Sequence, residues 1–168
     1  MPEEMLEIVD TEGRTVGLAP RSEVHGNPTL MHKVVHVLVF NTRGELLLQK
    51  RSMEKDVAPG KWDTSVGGHL SPGEDLAAGA LREMEEELGI VSDTLEFLYS
   101  YIHTNPFETE MVFTHAGIHN GPFFFNREEI DEVRFWPLEE IMQCRGKGIL
   151  SDNFESEITR YRSHRDNS

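Results

Sequence analysis

Apolar and β-branched positions mark one segment as the centre of a predicted sheet. Residues 34–40 read VVHVLVF, a run typical of a strand that is covered on both faces. We therefore predict a central strand there, with His36 as a residue of the sheet. Shorter strands are predicted at residues 6–10, 14–18, 45–50, 95–102, 110–118 and 132–136. The first two flank the turn Thr11-Glu12-Gly13 and predict a hairpin.

Residues 74–88 show a helical period instead. An advance of about 100° per residue gathers Ala77, Ala80, Leu81, Met84 and Leu88 into one apolar stripe, which is typical of a helix packed on a core. Gly89 follows as a helix stop. The opposite side of the predicted helix carries Glu83, Glu86 and Glu87.

The remaining segments complete a layered architecture. Helices are predicted at residues 138–143 and 153–161, whereas residues 52–73 contain many turn formers and are predicted to be mostly loop. Strands with interspersed helices predict an α/β (α+β) layered sheet. We predict a single domain over residues 1–168, with an N-terminal hairpin extension over about 1–30 and a frayed tail over about 162–168.

Composition and charge exclude several classes of partner. The net charge of −14 argues against binding to a nucleic acid polymer or to an anionic membrane surface. The sequence shows neither a membrane-spanning apolar run nor a signal peptide. One cysteine, Cys144, excludes an internal disulfide and favours a reducing compartment. We expect a cytoplasmic protein; a homodimer is compatible with the sequence, but no residue demonstrates it.

The charges are distributed unevenly. Residues 70–112 contain ten acidic residues and one basic residue, whereas residues 31–63 contain six basic and four acidic residues. Two such segments facing each other would place a cation site beside an anion site. A metal-bound phosphate compound suits that arrangement.

The three glutamates on one face of the predicted helix have two interpretations. They are spaced i, i+3 and i+4, so like charges repel each other, and no lysine or arginine is expected to answer them. One interpretation is a solvated face of an acidic protein. The other is a site for Mg²⁺ or Mn²⁺, which prefer oxygen ligands and would remove the repulsion.

The spacing around this helix resembles the Nudix box. Gly68, Glu74, the run Arg82-Glu83-Met84, the pair Glu86-Glu87 and the pair Gly89-Ile90 match every specified position of that motif. The resemblance implies the Nudix fold, a mixed β-sheet sandwiched between helices. It also implies divalent metal bound by Glu83, Glu86 and Glu87 together with the carbonyl of Gly68. Glu74 and Arg82 become the ion pair that fixes the loop to the helix.

About half of the chain further resembles the type-1 isopentenyl-diphosphate isomerases. The shared features are the N-terminal hairpin, two histidines near its end, the loop KRSMEKDVAPGKWDTSVGGH and the box helix. The resemblance implies a second divalent ion, Zn²⁺ or Mn²⁺, at His25, His32, His69, Glu108 and Glu110. It also implies diphosphate binding by Arg21, Arg51 and Lys55. The alternative for these histidines and basic residues is an ordinary structural or solvated role.

One departure from the isomerases decides the expected reaction. They carry a catalytic cysteine where this chain has Gly67, and glycine offers no proton donor for isomerisation. We therefore predict a Mg²⁺- or Mn²⁺-dependent hydrolase that cleaves a small-molecule diphosphate with metal-activated water. Glu83, Glu86, Glu87 and Glu110 are the candidate catalytic residues, and the general base stays open among Glu83, Glu87 and Glu110. The alternatives are an isomerase-like enzyme and a non-catalytic module that binds diphosphate.

Overall fold

The computed structural model describes residues 3–55 and 57–167. Over these ranges the chain forms one mixed sheet of nine strands flanked by four helices. The strands are β1 Met5–Val9, β2 Thr15–Pro20, β3 Met31–Phe40, β4 Leu46–Arg51, β5 Trp62–Asp63, β6 Val66–His69, β7 Glu96–Thr104, β8 Thr109–Ile118 and β9 Ile130–Trp136. The helices are α1 Arg21–Val24, α2 Leu76–Leu88, α3 Leu138–Cys144 and α4 Asp152–Asp166.

Strand β3 is the centre of the sheet. One of its edges pairs in parallel with β8 along all ten residues. Its other edge is shared by three antiparallel partners, which are β1 at His32, β6 over the middle of the strand and β4 at Phe40. Because β4 meets β3 at one residue pair, β4 and β6 diverge and leave a fork in the sheet.

Polar side chains fill this fork. The hydroxyl of Ser65 donates to the carbonyl of Leu47 and accepts from the amide of Val39 at 3.0 Å. The side-chain amide of Gln49 donates to the carbonyl of Ser65 at 3.0 Å. These contacts satisfy backbone groups that the diverging strands leave without ladder partners.

Two apolar cores cover the two faces of the sheet. The core under α2 contains Val35, Val37, Val39, Leu47, Val66, Leu70, Ala80, Met84, Leu88 and Ile90. The core under α3 and α4 contains Leu38, Leu46, Leu48, Trp136, Ile141, Leu150, Phe154 and Ile158. Alternate residues of β3 enter opposite cores, as the two-residue period of a strand requires. The predicted architecture, a mixed sheet between helices, is confirmed.

Several local predictions need correction. The segment predicted to be mostly loop contains β5 and β6, and residues 21–24 form a short helix. Ala77 is exposed and Gly79 is buried in its place. Helix α4 continues to Asp166, through most of the segment that we predicted to fray. Over the described ranges, none of the helices is both long and apolar enough to cross a membrane.

Candidate active site

Helix α2 presents the three spaced glutamates beside β6. Its N-terminus is capped by Asp75, whose carboxylate accepts from the amide of Ala78 at 3.3 Å. Its C-terminus is closed by Gly89, whose φ of 70° favours glycine. Burial of Met84 and Leu88 turns one side of the helix into the core. Glu83 and Glu87 reach the sheet at the fork, where Glu83 lies against Gly68 and Glu87 contacts Gln49.

The three carboxylates differ in their surroundings. The side chain of Glu86 is 58% exposed, whereas that of Glu83 is 14% exposed. Glu87 accepts a hydrogen bond at Oε1 from Nε2 of Gln49 at 3.1 Å. Its second oxygen, Oε2, is buried and has no hydrogen-bond partner among the described residues. A buried carboxylate oxygen without a partner is costly and is available to a ligand.

Arg82 contacts the cluster directly, so the expectation that no basic residue answers the glutamates was wrong. Its Nη1 donates to Glu83 at 2.9 Å and to Glu86 at 3.1 Å. The guanidinium also makes two bonds to Glu74, at 2.8 and 2.9 Å, and one to the carbonyl of His69 at 3.1 Å. One side chain thus ties the end of β6 and the following loop to α2.

The Glu74–Arg82 pair changes the ionisation of both groups. Hydrogen bonds from Arg82 hold the pKa of the Glu74 carboxyl below its usual value, and the same pair raises the pKa of Arg82. Both groups therefore stay ionised at neutral pH. Glu74 also accepts from the amide of Ser71 at 3.0 Å, which fixes the loop between β6 and α2.

Gly68 is required by the close approach of Glu83. A Cβ atom at residue 68 would lie 2.2 Å from the carboxyl carbon of Glu83, a distance at which the carboxylate would have to move. Gly68 pairs with Val35 in the sheet, so its backbone is fixed on the β3 side. The glycine therefore allows the Glu83 carboxylate to lie against the backbone of β6.

Burial raises the pKa values of both inner carboxyls. Burial raises the pKa of Glu87 well above its ordinary value, and the neighbouring Glu83 raises it further. Burial also raises the pKa of Glu83, against the opposing effect of Arg82. Two close carboxylates of this kind resist full ionisation unless a cation joins them. The chemistry of this donor set fits a hard divalent ion.

A second cluster gathers the imidazoles predicted from the isomerase resemblance. Nitrogen atoms of His25, His32 and His69 all lie within 4.8 Å of one another, and Nε2 of His25 is 3.4 Å from Nε2 of His69. Nε2 of His32 lies 3.8 Å from a carboxylate oxygen of Glu108 and 3.8 Å from one of Glu110. The structure therefore brings all five predicted residues together.

His32 is the innermost member of this second cluster. It is fully buried, and neither ring nitrogen has a hydrogen-bond partner among the described residues. Burial lowers the pKa of His32 to about 3 and that of His69 to about 4. Both imidazoles are therefore neutral at pH 7 and have lone pairs for a metal. Burial and the charge of Glu108 raise the pKa of Glu110 to about 7.

The three basic residues predicted to bind diphosphate have different environments. Arg21 lies 3.5 Å from Glu4, beside the second cluster. Arg51 donates to the carbonyl of Val57 at 2.8 Å and lies 3.4 Å from Asp63. Lys55 is half-buried, and its ammonium group has no ion-pair partner among the described residues.

Sequence reasoning missed two features next to the site. Gln49 orients Glu87, and a buried network joins His36 to Glu157 at 2.7 Å. The one available signal was His36, a polar residue within the otherwise apolar run 34–40, because Glu157 lies in a predicted helix that is mostly polar. Neither residue revealed its partner, because strand order and helix packing set those contacts.

Comparison with known proteins identifies the family. Residues 30–154 match the model of the NUDIX domain, and the chain belongs to the Nudix family. It is 35% identical to an uncharacterized Nudix hydrolase of Pseudomonas aeruginosa, covering 79% of this chain and 78% of that protein. It is also 33% identical to an isopentenyl-diphosphate Delta-isomerase of Streptomyces avermitilis, over 89% and 79% of the two chains. The predicted family resemblance is confirmed.

The fold has a close counterpart among solved structures. The crystal structure of a Deinococcus radiodurans protein superposes with a TM-score of 0.81, covering 94% of this chain and 98% of that one. Sequence identity over this match is 22%, so the likeness concerns the fold.

Proposed function

We propose that the protein hydrolyses the diphosphate linkage of a nucleoside diphosphate derivative or a related organic diphosphate. The observation that carries this proposal is the convergence of two largely buried carboxylates, Glu83 and Glu87, beside Gly68. One oxygen of Glu87 is buried without a partner among the described residues. A solvated helix face would show neither the burial nor this unpartnered oxygen.

The carboxylate cluster fits Mg²⁺ or Mn²⁺. Glu83, Glu86, Glu87 and the carbonyl of Gly68 would hold the ion, since hard oxygen donors of this number and charge suit both cations. When bound, such an ion lowers the pKa of a coordinated water and neutralises charge on phosphate oxygens. Arg82 holds Glu83 and Glu86 in place and neutralises part of their charge.

The chain supplies three candidate bases for the attacking water. They are Glu83, Glu87 and Glu110; burial raises the pKa of each of them, and that of Glu110 to about 7. Glu110 belongs to the second cluster on β8, whereas the other two belong to α2. Replacement of each by glutamine, followed by pH–rate profiles, assigns the base.

The second cluster is proposed as a site for Zn²⁺ or Mn²⁺. The two unpartnered nitrogens of buried His32 and the neutral His69 support it. We further propose that Arg21 and Lys55 contact the diphosphate. We propose the same role for Arg51, whose guanidinium already donates to the carbonyl of Val57 and lies beside Asp63.

A second candidate function is isoprenoid isomerisation. The 33% identity to a named isomerase and the histidine–glutamate cluster favour it. Gly67 opposes it. This exposed glycine stands at the position where the isomerases that the chain resembles carry a catalytic cysteine. The hydrolase therefore remains our proposal.

A substrate panel tests the two functions together. Nucleoside di- and triphosphates, dinucleotides and isoprenoid diphosphates would be incubated with Mg²⁺ and with Mn²⁺, alongside Glu87→Gln. Product release by the wild-type chain, absent from the variant, is expected for part of the nucleotide set. Isomer exchange of isopentenyl diphosphate without hydrolysis would reverse the assignment.

A further inference from the structure

A histidine–carboxylate pair lies beside the proposed diphosphate site and has no role in it so far. His36 of β3 contacts Glu157 of α4, with 2.7 Å between Nδ1 and Oε1. Glu157 is fully buried. Its carboxylate also accepts from the hydroxyls of Tyr99, Tyr101 and Thr114. Four donors thus hold one carboxylate and fix the orientation of the imidazole ring.

This network determines which edge of the imidazole is available. The carboxylate engages Nδ1 of His36, so Nδ1 carries a proton and the opposite edge, with Nε2 and Cδ2, points away from Glu157. A ring oriented in this way by a buried carboxylate presents Nε2 at a defined position. Glu157 is therefore a positioning residue for His36.

The free edge of His36 faces the space above Gly67. Residues 36 and 67 are paired across β3 and β6. A Cβ at residue 67 would lie 3.2 Å from Cδ2 and 3.4 Å from Nε2 of His36, and these are the two neighbouring atoms found within 4 Å. Gly67 is itself exposed. Glycine therefore leaves space beside the Nε2 edge of His36, itself 7% exposed, that any other side chain would narrow.

The same short backbone segment borders the proposed diphosphate site. The backbone of Gly68 lies against the carboxylate of Glu83. Gln49 bridges Glu87 and the carbonyl of Ser65. The free edge of His36 and the inner carboxylates therefore approach the strand from its two sides.

A diphosphate at this place needs hydrogen-bond donors in addition to Arg21 and Lys55, because Arg82 and Arg51 are already engaged. Arg82 is bound to three glutamates, and Arg51 lies against Asp63. Phosphate oxygens are best satisfied by charge-assisted bonds from cationic donors. His36, whose Nδ1 is bound to the Glu157 carboxylate, is a further candidate donor at this segment.

We propose that His36 binds the substrate by donating from Nε2 to a phosphate oxygen above Gly67, with Glu157 as its positioning residue. This inference rests on the proposed function and deepens it. The groups that face His36 are Glu157, Glu110 and Asp63. Burial lowers the pKa of His36, but the bond and the charge of Glu157 outweigh it and raise the pKa above its ordinary value. The raised pKa favours the form protonated on both nitrogens, in which Nε2 donates.

The test measures binding of methylenediphosphonate, a non-hydrolysable diphosphate, by calorimetry in the presence of Mg²⁺. Asparagine places its amide near the position of Nδ1, and glutamine places its amide near the position of Nε2. His36→Asn should therefore weaken binding by about 10-fold or more, the worth of a charge-assisted bond. His36→Gln should recover part of that loss. A purely structural histidine would not distinguish the two amides in this order.

Two glycine variants separate the loss of the open Nε2 edge from a general effect of an added methyl group. Gly67→Ala covers the Nε2 edge and should weaken binding, whereas the Cβ of Gly17→Ala would meet nothing within 4 Å and should leave binding within about twofold. Melting temperatures of all variants check folding. Unchanged binding in His36→Asn, or no binding of the probe by the wild-type chain, would overturn the inference.

The outcome for the proposed function is read separately. Loss of binding in Glu87→Gln with wild-type binding in His36→Asn overturns the His36 inference and supports the carboxylate site. Weakened binding in His36→Asn, with no hydrolysis of any compound in the substrate panel, supports the inference and rejects the hydrolase.

Discussion

Gln49 donates a hydrogen bond to one carboxylate oxygen of Glu87 at 3.1 Å and leaves the other oxygen buried without a partner in the described chain. The amide that makes this bond also holds the carbonyl of Ser65. The diverging strands of the sheet therefore orient the carboxylate of a helix that packs against them. We therefore expect substitution of Glu87 to affect the reaction more than substitution of the other glutamates in the cluster.

Replacement of Glu87 should abolish turnover without unfolding the protein. Glu87→Gln keeps the shape and removes the charge, so metal affinity and water activation are both lost. We expect a fall in kcat of about 10³-fold or more. The melting temperature without metal should be unchanged or higher, because repulsion with Glu83 disappears.

Glu85→Gln is the matched control for this change. Glu85 lies on the same helix and is exposed, so its replacement should leave kcat within about twofold. Equal turnover by the wild-type chain and Glu87→Gln would remove α2 from the active site.

A methyl group at residue 68 should damage the site by displacement alone. In Gly68→Ala the new Cβ would meet the carboxyl group of Glu83 at 2.2 Å, so Glu83 must leave its place. A shift of about 1 Å in such a group costs on the order of 100-fold in rate. Steady-state kinetics at saturating Mg²⁺ measure the loss.

Gly17→Ala provides the comparison for Gly68→Ala. Residue 17 also lies in a strand, and its Cβ would meet nothing within 4 Å. The activity of Gly17→Ala should match that of the wild-type chain. A fully active Gly68→Ala would show that the position of Glu83 is not important for the reaction.

Local periodicity explains what the sequence could predict. The helical period of α2 and the apolar run of β3 depend on neighbouring residues, and both elements lie where they were expected. The glutamates share a face for the same reason. Their spacing of three and four residues places them on one face of a helix, independently of the rest of the fold.

Long-range contacts explain what the sequence could not predict. Strand β6 has two glycines and no apolar alternation, so its extended form depends on pairing with β3. His36 and Glu157 are 121 positions apart, and no local pattern links them. Arg82 was expected to reach Glu74, but its further bonds to Glu83 and Glu86 depend on rotamers that a helical wheel does not specify.

The second cluster makes a prediction about stability and metal content together. His32→Leu removes two buried nitrogens that have no partner among the described residues. Without metal we expect this variant to be more stable by about 1–2 kcal/mol, because the desolvation cost of those nitrogens disappears. Urea unfolding in excess chelator measures the difference.

The same variant should lose the second metal ion. After loading with Zn²⁺ and dialysis, elemental analysis should show less bound zinc in His32→Leu than in the wild-type chain. Glu85→Gln should retain the wild-type amount. A destabilised His32→Leu with unchanged zinc content would contradict a metal-binding role for this cluster.

The His36–Glu157 pair should make stability depend on pH in a defined window. Burial alone would raise the pKa of Glu157, but the bond from His36 holds this pKa below the ordinary 4.5. The contribution of Glu157 to the free energy of unfolding is therefore fully present above pH 4.5. It is lost as the pH falls through the pKa of the folded state. The pKa of His36 is raised above 6.5. The contribution of His36 to the free energy of unfolding is therefore fully present below pH 6.5, and it is lost as the pH rises through the pKa of the folded state.

The free energies of unfolding of the wild-type chain and Glu157→Gln should therefore differ most between about pH 4.5 and 6.5. Within this window we expect a difference of about 3 kcal/mol, typical of breaking a buried pair. The difference should shrink on both sides. Urea titrations from pH 3 to pH 9, in chelator, measure it.

Glu139→Gln, at an exposed carboxylate of α3, should show a small difference at every pH. A constant difference for Glu157→Gln would mean that Glu157 contributes through packing, because a charge interaction with His36 would follow the titration of both groups.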